Sequence, residues 1–241
     1  MDWFTSDVHF GEEKLHRLNR PQFADINEAK QTILKNFEVV KKGDRLFILG
    51  DLGFGKKEVA EFLEPLLKRK VYVIWVRGNH DKDDKWKTDK YLAPNLLGYL
   101  KQCDSMTVKA AVMYNRWYHP LYLSHYPHVI WDRSHYGICF HLYGHSHKET
   151  SDVPWTKAIM QGRSLNVNVE LHDYKPWSRD EIEEVLSNKS PNIDFYLCKG
   201  NEEDKKKAIA CCEDIKKRLA QFYDEVDFKV YDMHEGVEEG S

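Results

Sequence analysis

Five apolar, strand-sized runs in this chain each stop at a residue able to hold a metal ion. DWFTSDVH ends on Asp7 and His9, RLFILGD on Asp51, and VIWVRGNHD on Asn79, His80 and Asp81. LYLSH ends on His125, and FHLYGHSH on His145 and His147. A run built for burial delivers such groups only where its end opens at a rim. In sheets of parallel strands joined by helices, ligands bind in the crevice beyond the strands' carboxyl ends. Three of the runs place glycine directly before the ligand, where the missing side chain lets the backbone turn sharply. The pattern demands a sheet system in which distant blocks meet along one edge.

The rest of the chain supplies that system. Apolar runs at 3–4, 46–49, 71–76, 121–123, 138–143 and 165–169 predict strands. Asp25 and Glu28 form a capping signature ahead of a helix with Ala29, Ile33, Phe37 and Val40 on one face. Val59, Phe62, Leu63, Leu66 and Leu67 keep helical spacing in a second, which Pro65 is expected to kink or shorten. Ser178 and Glu181 repeat the capping signature before Ile182, Val185 and Leu186. The first half alternates strand and helix, as parallel strands with crossover helices do, and a hairpin pattern from Thr107 to His125 adds antiparallel pairing. The loop SNKSPN suggests a boundary between a main domain, 1–188, and an extension, 189–241. In the extension, 193–198 predicts a strand, 202–223 a helix and 226–231 another strand, a small β-α-β unit ahead of a frayed tail.

Composition narrows the chemistry. A net charge of −3, with the lysines of 82–90 and 205–218 interleaved with acidic residues, gives no general drive toward nucleic acid. The five cysteines include no C-x-x-C pair, which argues against a thiolate zinc site and for a reducing compartment. No run is long enough to span a membrane, and the N-terminus lacks the pattern of a signal peptide, so the expected location is the cytoplasm. The donors at the run ends are oxygens (Asp7, Asp51, the Asn79 amide) and imidazoles (His9, His125, His145, His147). That set suits Mn, Fe, Zn, Ni or Co in five- or six-coordinate sites. Seven donors exceed what one ion needs; with a bridging carboxylate they suit two ions about 3.5–4 Å apart.

The ordered blocks Asp7-x-His9, Gly50-Asp51, Gly78-Asn79-His80-Asp81, His125 and Gly144-His145-Ser146-His147 resemble the signature of calcineurin-like metallophosphoesterases. DVHFG with the following LNRPQF, and NVNVELHDYKPWS after the last block, resemble the small single-domain bacterial and phage members. Glu12 stands where those members often carry histidine. The resemblance implies a four-layer αββα sandwich of two mixed β-sheets. It implies that Asp7, His9 and His147 hold one divalent ion and Asn79, His125 and His145 the other, with Asp51 bridging; Mn²⁺ is the first expectation. His80 would face the substrate and assist the leaving group, oriented by a hydrogen bond it gives to Asp81. Two dications lower the pKa of a shared water from 15.7 toward about 7, supplying hydroxide for in-line attack on a phosphoester.

Each block alone has a plain structural explanation, as a cap, a turn or a packed histidine; in order and at successive run ends they do not. Arg20 could reach a substrate phosphate or form a surface ion pair, and Tyr126 and His128 are candidates for lining the pocket. His141 is expected to pack inside or support a ligand, and His16 and His172 to be structural. The expected activity is a phosphoesterase on a small molecule or nucleotide, leaning to diesters, because monoesterases need more cations than Arg20 alone. A nuclease on DNA or RNA is an alternative of the same chemistry. A protein-binding scaffold is the non-enzymatic one, opposed by the complete ligand set. A dimer formed through the extension is also compatible with the sequence.

Overall fold

A computed structural model describes residues 1–14, 18, 20–81, 91–103, 106–114, 117–147 and 162–225. Strand β1 (Asp2–Thr5) leads to helix α1 (Ile26–Asn36), β2 (Arg45–Leu49), α2 (Lys56–Lys68) and β3 (Tyr72–Val76). Then follow β4 (Leu100–Cys103), β5 (Met106–Tyr114), β6 (Trp117–Leu123), β7 (Phe140–Tyr143), β8 (Ser164–Asn166) and β9 (Trp177–Ser178). Three helices close the described chain: α3 (Arg179–Ser187), α4 (Ile193–Lys199) and α5 (Glu202–Glu225).

The strands form two mixed sheets. In the first, ordered β4-β3-β2-β1-β9, all neighbours are parallel except the β1–β9 pair. In the second, ordered β5-β6-β7-β8, β5 and β6 form the expected antiparallel hairpin and the rest are parallel. Alternation along the strands divides the core. Trp3, Leu46, Ile48, Val73 and Trp75 face one way and pack with Ile33 of α1 and Phe62, Leu63 and Leu66 of α2. Phe4, Phe47, Leu49, Ile74 and Val76 face the other way and share a core with Leu121, Leu123, Phe140 and Leu142 of the second sheet and Ile182 and Leu186 of α3.

Helix ends follow the capping chemistry. Asp25 accepts from Asn27 and Glu28 N–H at 2.7 and 2.9 Å, although the return bond from Glu28 goes to Ala24 N–H, one residue early. Ser178 and Glu181 form a complete capping box. Pro65 sits inside α2, which ends three residues later at Lys68. A ring this close to the C-terminus removes one hydrogen bond near the end of the ladder.

The extension departs from expectation. Residues 193–199 are helical, not a strand, so the described part of the extension is a helix pair rather than β-α-β. A short apolar run cannot decide between strand and helix by itself. Here Pro191-Asn192 opens a helix that turns Asp194 inward to accept from Ser134 Oγ and leaves Leu197 and Cys198 exposed. The expected strand at 226–231, the lysine-rich stretch 82–90 and His16 lie outside the described residues. Among those described, no helix is long and apolar enough to cross a membrane. Leu63, wholly buried on α2, sets the core's sensitivity. Leu63→Ala is expected to cost about 2–5 kcal/mol in urea denaturation, against about 0.5 kcal/mol or less for Val39→Ala at an exposed position.

Candidate metal centre

Each predicted ligand block lies just past the carboxyl end of a strand. Asp7 and His9 follow β1, Asp51 follows β2, Asn79 to Asp81 follow β3, His125 follows β6, and His145 and His147 follow β7. Backbone bonds fasten the two sheets at this rim. Ser6 N–H donates to Val167 O at 3.1 Å and Val169 N–H to Ser6 O at 3.0 Å, extending β1 against the continuation of β8. His145 N–H donates to both oxygens of Asp7 at 3.1 and 2.9 Å, joining the last block to the first.

The local backbone is strained where the donors sit. Asp7, His9, Asp51 and His145 have φ of 53, 43, 52 and 71°. Left-handed conformations in residues other than glycine cost about 1–3 kcal/mol each and persist where surrounding structure imposes them, often at functional sites. The glycines before the ligands do more than turn the chain. A Cβ on Gly50 would lie 2.3 Å from His125 Nδ1, one on Gly78 2.3 Å from Asp51 Oδ1, and one on Gly144 2.4 Å from Asp7 Oδ2. Each glycine leaves room for a donor from another block.

The donors converge as two groups. Atoms of Asp7, His9 and His147 lie within 4.8 Å of one another, as do those of Asp7, Asp51 and His125. Asn79 Oδ1 is 2.8 Å from His125 Nε2 and 3.0 Å from His145 Nδ1, so the other three predicted donors also meet. Asp51 Oδ2 lies 3.7 Å from His9 Nε2 and 3.5 Å from His125 Nε2, and Asp7 is common to the first two groups. Asp7, His9, Asp51 and His125 are buried, whereas Asn79, His80 and His145 are exposed, so the cluster runs from the interior to the surface.

Burial shapes the electrostatics. It pushes Asp7 up to about 7 and Asp51 above its ordinary range. Burial, with the positive charge of His147 and Arg20 adding to it, pushes His9 down to about 2. Burial likewise lowers His125 and His145. It works the same way on His147, but the hydrogen bond and charge of Glu170 together with Asp7 outweigh it and hold that imidazole above its usual value. His9 is 2% exposed and neither of its ring nitrogens has a hydrogen-bond partner. An unpaired buried imidazole among carboxylates is costly by itself and favourable as a metal ligand. The donor set therefore fits a divalent metal centre.

Three expectations change. Arg20 is neither at the rim nor on the surface; it is 1% exposed. Its guanidinium donates to Glu170 Oε1 at 2.6 Å and to the Val8 and Asp7 carbonyls at 3.0 Å each. A planar fork suits such a fixed three-point contact, and its burial keeps it out of reach of a phosphate at the surface. Asp81 does not orient His80. Its carboxylate accepts from the N–H groups of Asp51, Leu52 and Gly78 and from Trp75 Nε1, at 2.8, 3.2, 2.8 and 3.1 Å. It staples the Asp51 loop to the Gly78 loop. His128 turns into its own loop, with Nε2 at 3.0 Å from Ser124 Oγ and its N–H donating to His141 Nε2.

The other candidates lie as follows. His80 is exposed; its N–H donates to Asp51 Oδ1 at 2.8 Å and its ring lies 5.3 Å from that of His9. Tyr126, 45% exposed, sets its ring 5.0 Å from those of both His125 and His145. His141 is fully buried, and His172 stacks on Trp177. Glu170 was not anticipated. Its Oε2 accepts from His147 Nδ1 at 3.0 Å. The signal was the alternation Asn166, Asn168, Glu170: Asn166 Nδ2 donates to Ser146 O at 2.7 Å, and Asn168 Oδ1 accepts from Glu170 N–H at 2.8 Å. Every second residue braces the loop of His145 and His147.

Two mixed sheets meeting at this rim are consistent with a metallophosphoesterase fold. The chain belongs to the calcineurin-like phosphoesterase family, which it matches over residues 3–149. It is 28% identical over 188 residues to an uncharacterised protein of Methanocaldococcus jannaschii, covering 76% of this chain and 90% of that one. It is 31% identical over 140 residues to the gene 66 protein of Mycobacterium phage L5, covering 53% of this chain and 63% of that one. A crystal structure of a protein of unknown function from Aquifex aeolicus superposes with a TM-score of 0.53 at 27% identity, covering 77% of this chain and 98% of that one.

Gly144 has an ordinary φ, so Gly144→Ala acts by crowding the side chains of Asp7 and Ser6 rather than through backbone strain. The variant is expected to stay folded and to lose bound divalent metal by elemental analysis. Because Asp7 is protonated below about pH 7 in the metal-free protein, a bound ion must displace that proton. Calorimetric affinity for Mn²⁺ is expected to rise as pH increases through about 7, with proton release on binding.

Proposed function

We propose that this protein is a dinuclear metal-dependent phosphoester hydrolase acting on diesters. The observation that carries this reading is the convergence of carboxylates and imidazoles, joined by the Asn79 amide, in a cluster that includes His9, whose two ring nitrogens are buried and unpaired. Asp7, His9 and His147 would hold one ion and Asn79, His125 and His145 the other, with Asp51 between them. Mn²⁺ is the favoured metal, with Fe, Zn, Ni and Co compatible with the same donors. When bound, such a pair activates water near neutral pH and neutralises charge building on a transferring phosphoryl group.

The chain's own side chains supply orientation and proton handling. Exposure of Asn79, His80 and His145 leaves that side of the cluster open to substrate. His80 is held through its backbone to Asp51, next to the cluster, where its imidazole can give a hydrogen bond or proton to a departing alkoxide. Tyr126 walls the His125–His145 flank and offers a ring face to an ester substituent. The preference for diesters follows from Arg20. That guanidinium, the candidate partner for a monoester's second charge, is committed to Glu170 and two carbonyls.

Mn²⁺-loaded protein is expected to hydrolyse bis-p-nitrophenyl phosphate in preference to p-nitrophenyl phosphate. His80→Ala is expected to lower kcat about 10²–10⁴-fold while elemental analysis shows unchanged metal content. Protein that binds two ions yet leaves both esters intact would overturn the hydrolase reading.

A further inference from the structure

The geometry points to Arg20 and Glu170 as a positioning pair that fixes His147 with its proton on Nδ1 and its Nε2 lone pair toward Asp7, so that His147 and Asp7 are set for one ion. This inference rests on the metal reading above and assigns roles to two residues outside the ligand set.

A neutral imidazole carries one ring proton, and the partner of each nitrogen decides which one holds it. Glu170 Oε2 lies 3.0 Å from His147 Nδ1 and places the proton there. Nε2 is left facing Asp7 Oδ1 at 3.9 Å, beyond hydrogen-bond range. Carboxylates behind ligand histidines fix ring orientation and raise basicity. His125, a buried member of the ligand set, has a neutral backing group instead, the Leu49 carbonyl 2.8 Å from Nδ1.

Glu170 cannot do this unsupported, because a buried carboxylate needs its charge met. Arg20 meets it at Oε1 and spends its two terminal nitrogens on the Asp7 and Val8 carbonyls. Asp7 is one of the residues in the left-handed region, so Arg20 bonds to the carbonyl of a strained residue that is also a donor. One guanidinium thereby sets the Asp7 loop and, through Glu170, the His147 ring. Both Glu170 oxygens are occupied in this way, which makes Glu170 a support for a ligand rather than a ligand.

The test combines histidine tautomer assignment by ¹⁵N NMR in metal-free protein with Mn²⁺ titration calorimetry. Wild type, at a pH high enough to leave the His147 ring neutral, is expected to show its proton on Nδ1. Glu170→Ala should lose that preference and bind the first ion about 10–100-fold more weakly, with Glu170→Gln, which keeps an acceptor oxygen, falling between. In a His147→Ala background, the Glu170 substitutions should have no further effect on affinity, an outcome that general loosening of the loop would not produce. Unchanged tautomer and affinity in Glu170→Ala, or an equal loss with and without His147, would overturn the inference. If Glu170→Ala does not fold, the same cycle with Glu170→Gln decides: a loss confined to proteins carrying His147 supports the pair, and no loss or an equal one overturns it. Wild type that binds no divalent ion would sink the metal reading instead, and the tautomer measurement would still decide the positioning role.

Discussion

The seam between β1 and β8 is the interaction on which the centre depends. The two sheets carry their donors on separate parts of the chain, and neither set alone can surround an ion. The exchange of backbone bonds between Ser6 and the 167–169 segment brings the ends of the two sheets into register. The bond from His145 N–H to the Asp7 carboxylate continues that seam into the donor cluster itself. Because Val167 and Val169 are also wholly buried, hydrophobic packing and polar convergence are joined at one place.

Around this seam, buried polar groups are satisfied by one another rather than by solvent. Asp81 collects four donors from the ends of β2 and β3, so its charge is spread over the loops that carry Asp51 and Asn79. Arg20 and Glu170 do the same for the loops that carry Asp7 and His147. Low local dielectric makes such networks strong when complete and costly when a partner is missing. The hydroxyls of Thr5 and Ser6 and both ring nitrogens of His9 are left out of these networks, and the buried imidazole of His9, a good metal ligand, is the one that most directly implies a cation.

Much of this was legible in the sequence because burial and donor chemistry leave separate marks. The runs Leu46–Phe47–Ile48–Leu49 and Val73–Ile74–Trp75–Val76 are uniformly apolar, as strands covered on both faces require. The donors stood out because nothing else explains charged groups at successive run ends. What could not be seen was which polar residues face inward. Arg20 and Asp81 have the composition of substrate-binding and catalytic groups, and only three-dimensional placement shows them bonded to backbone. Glu170 lay in a stretch already notable for its asparagines, but its partner is 23 residues away. The segment at 193–199 went the other way because a run of that length carries too few residues for its period to show.

The bond between Trp75 and Asp81 has a practical consequence. The indole is completely buried in the apolar core, yet its N–H ends on the carboxylate that also holds the Asp51 amide. Any redistribution of charge around Asp51 alters the field across that chromophore. Of the seven tryptophans, this one is thus an intrinsic optical probe of the pocket, its contribution to the emission read as the part that Trp75→Phe removes.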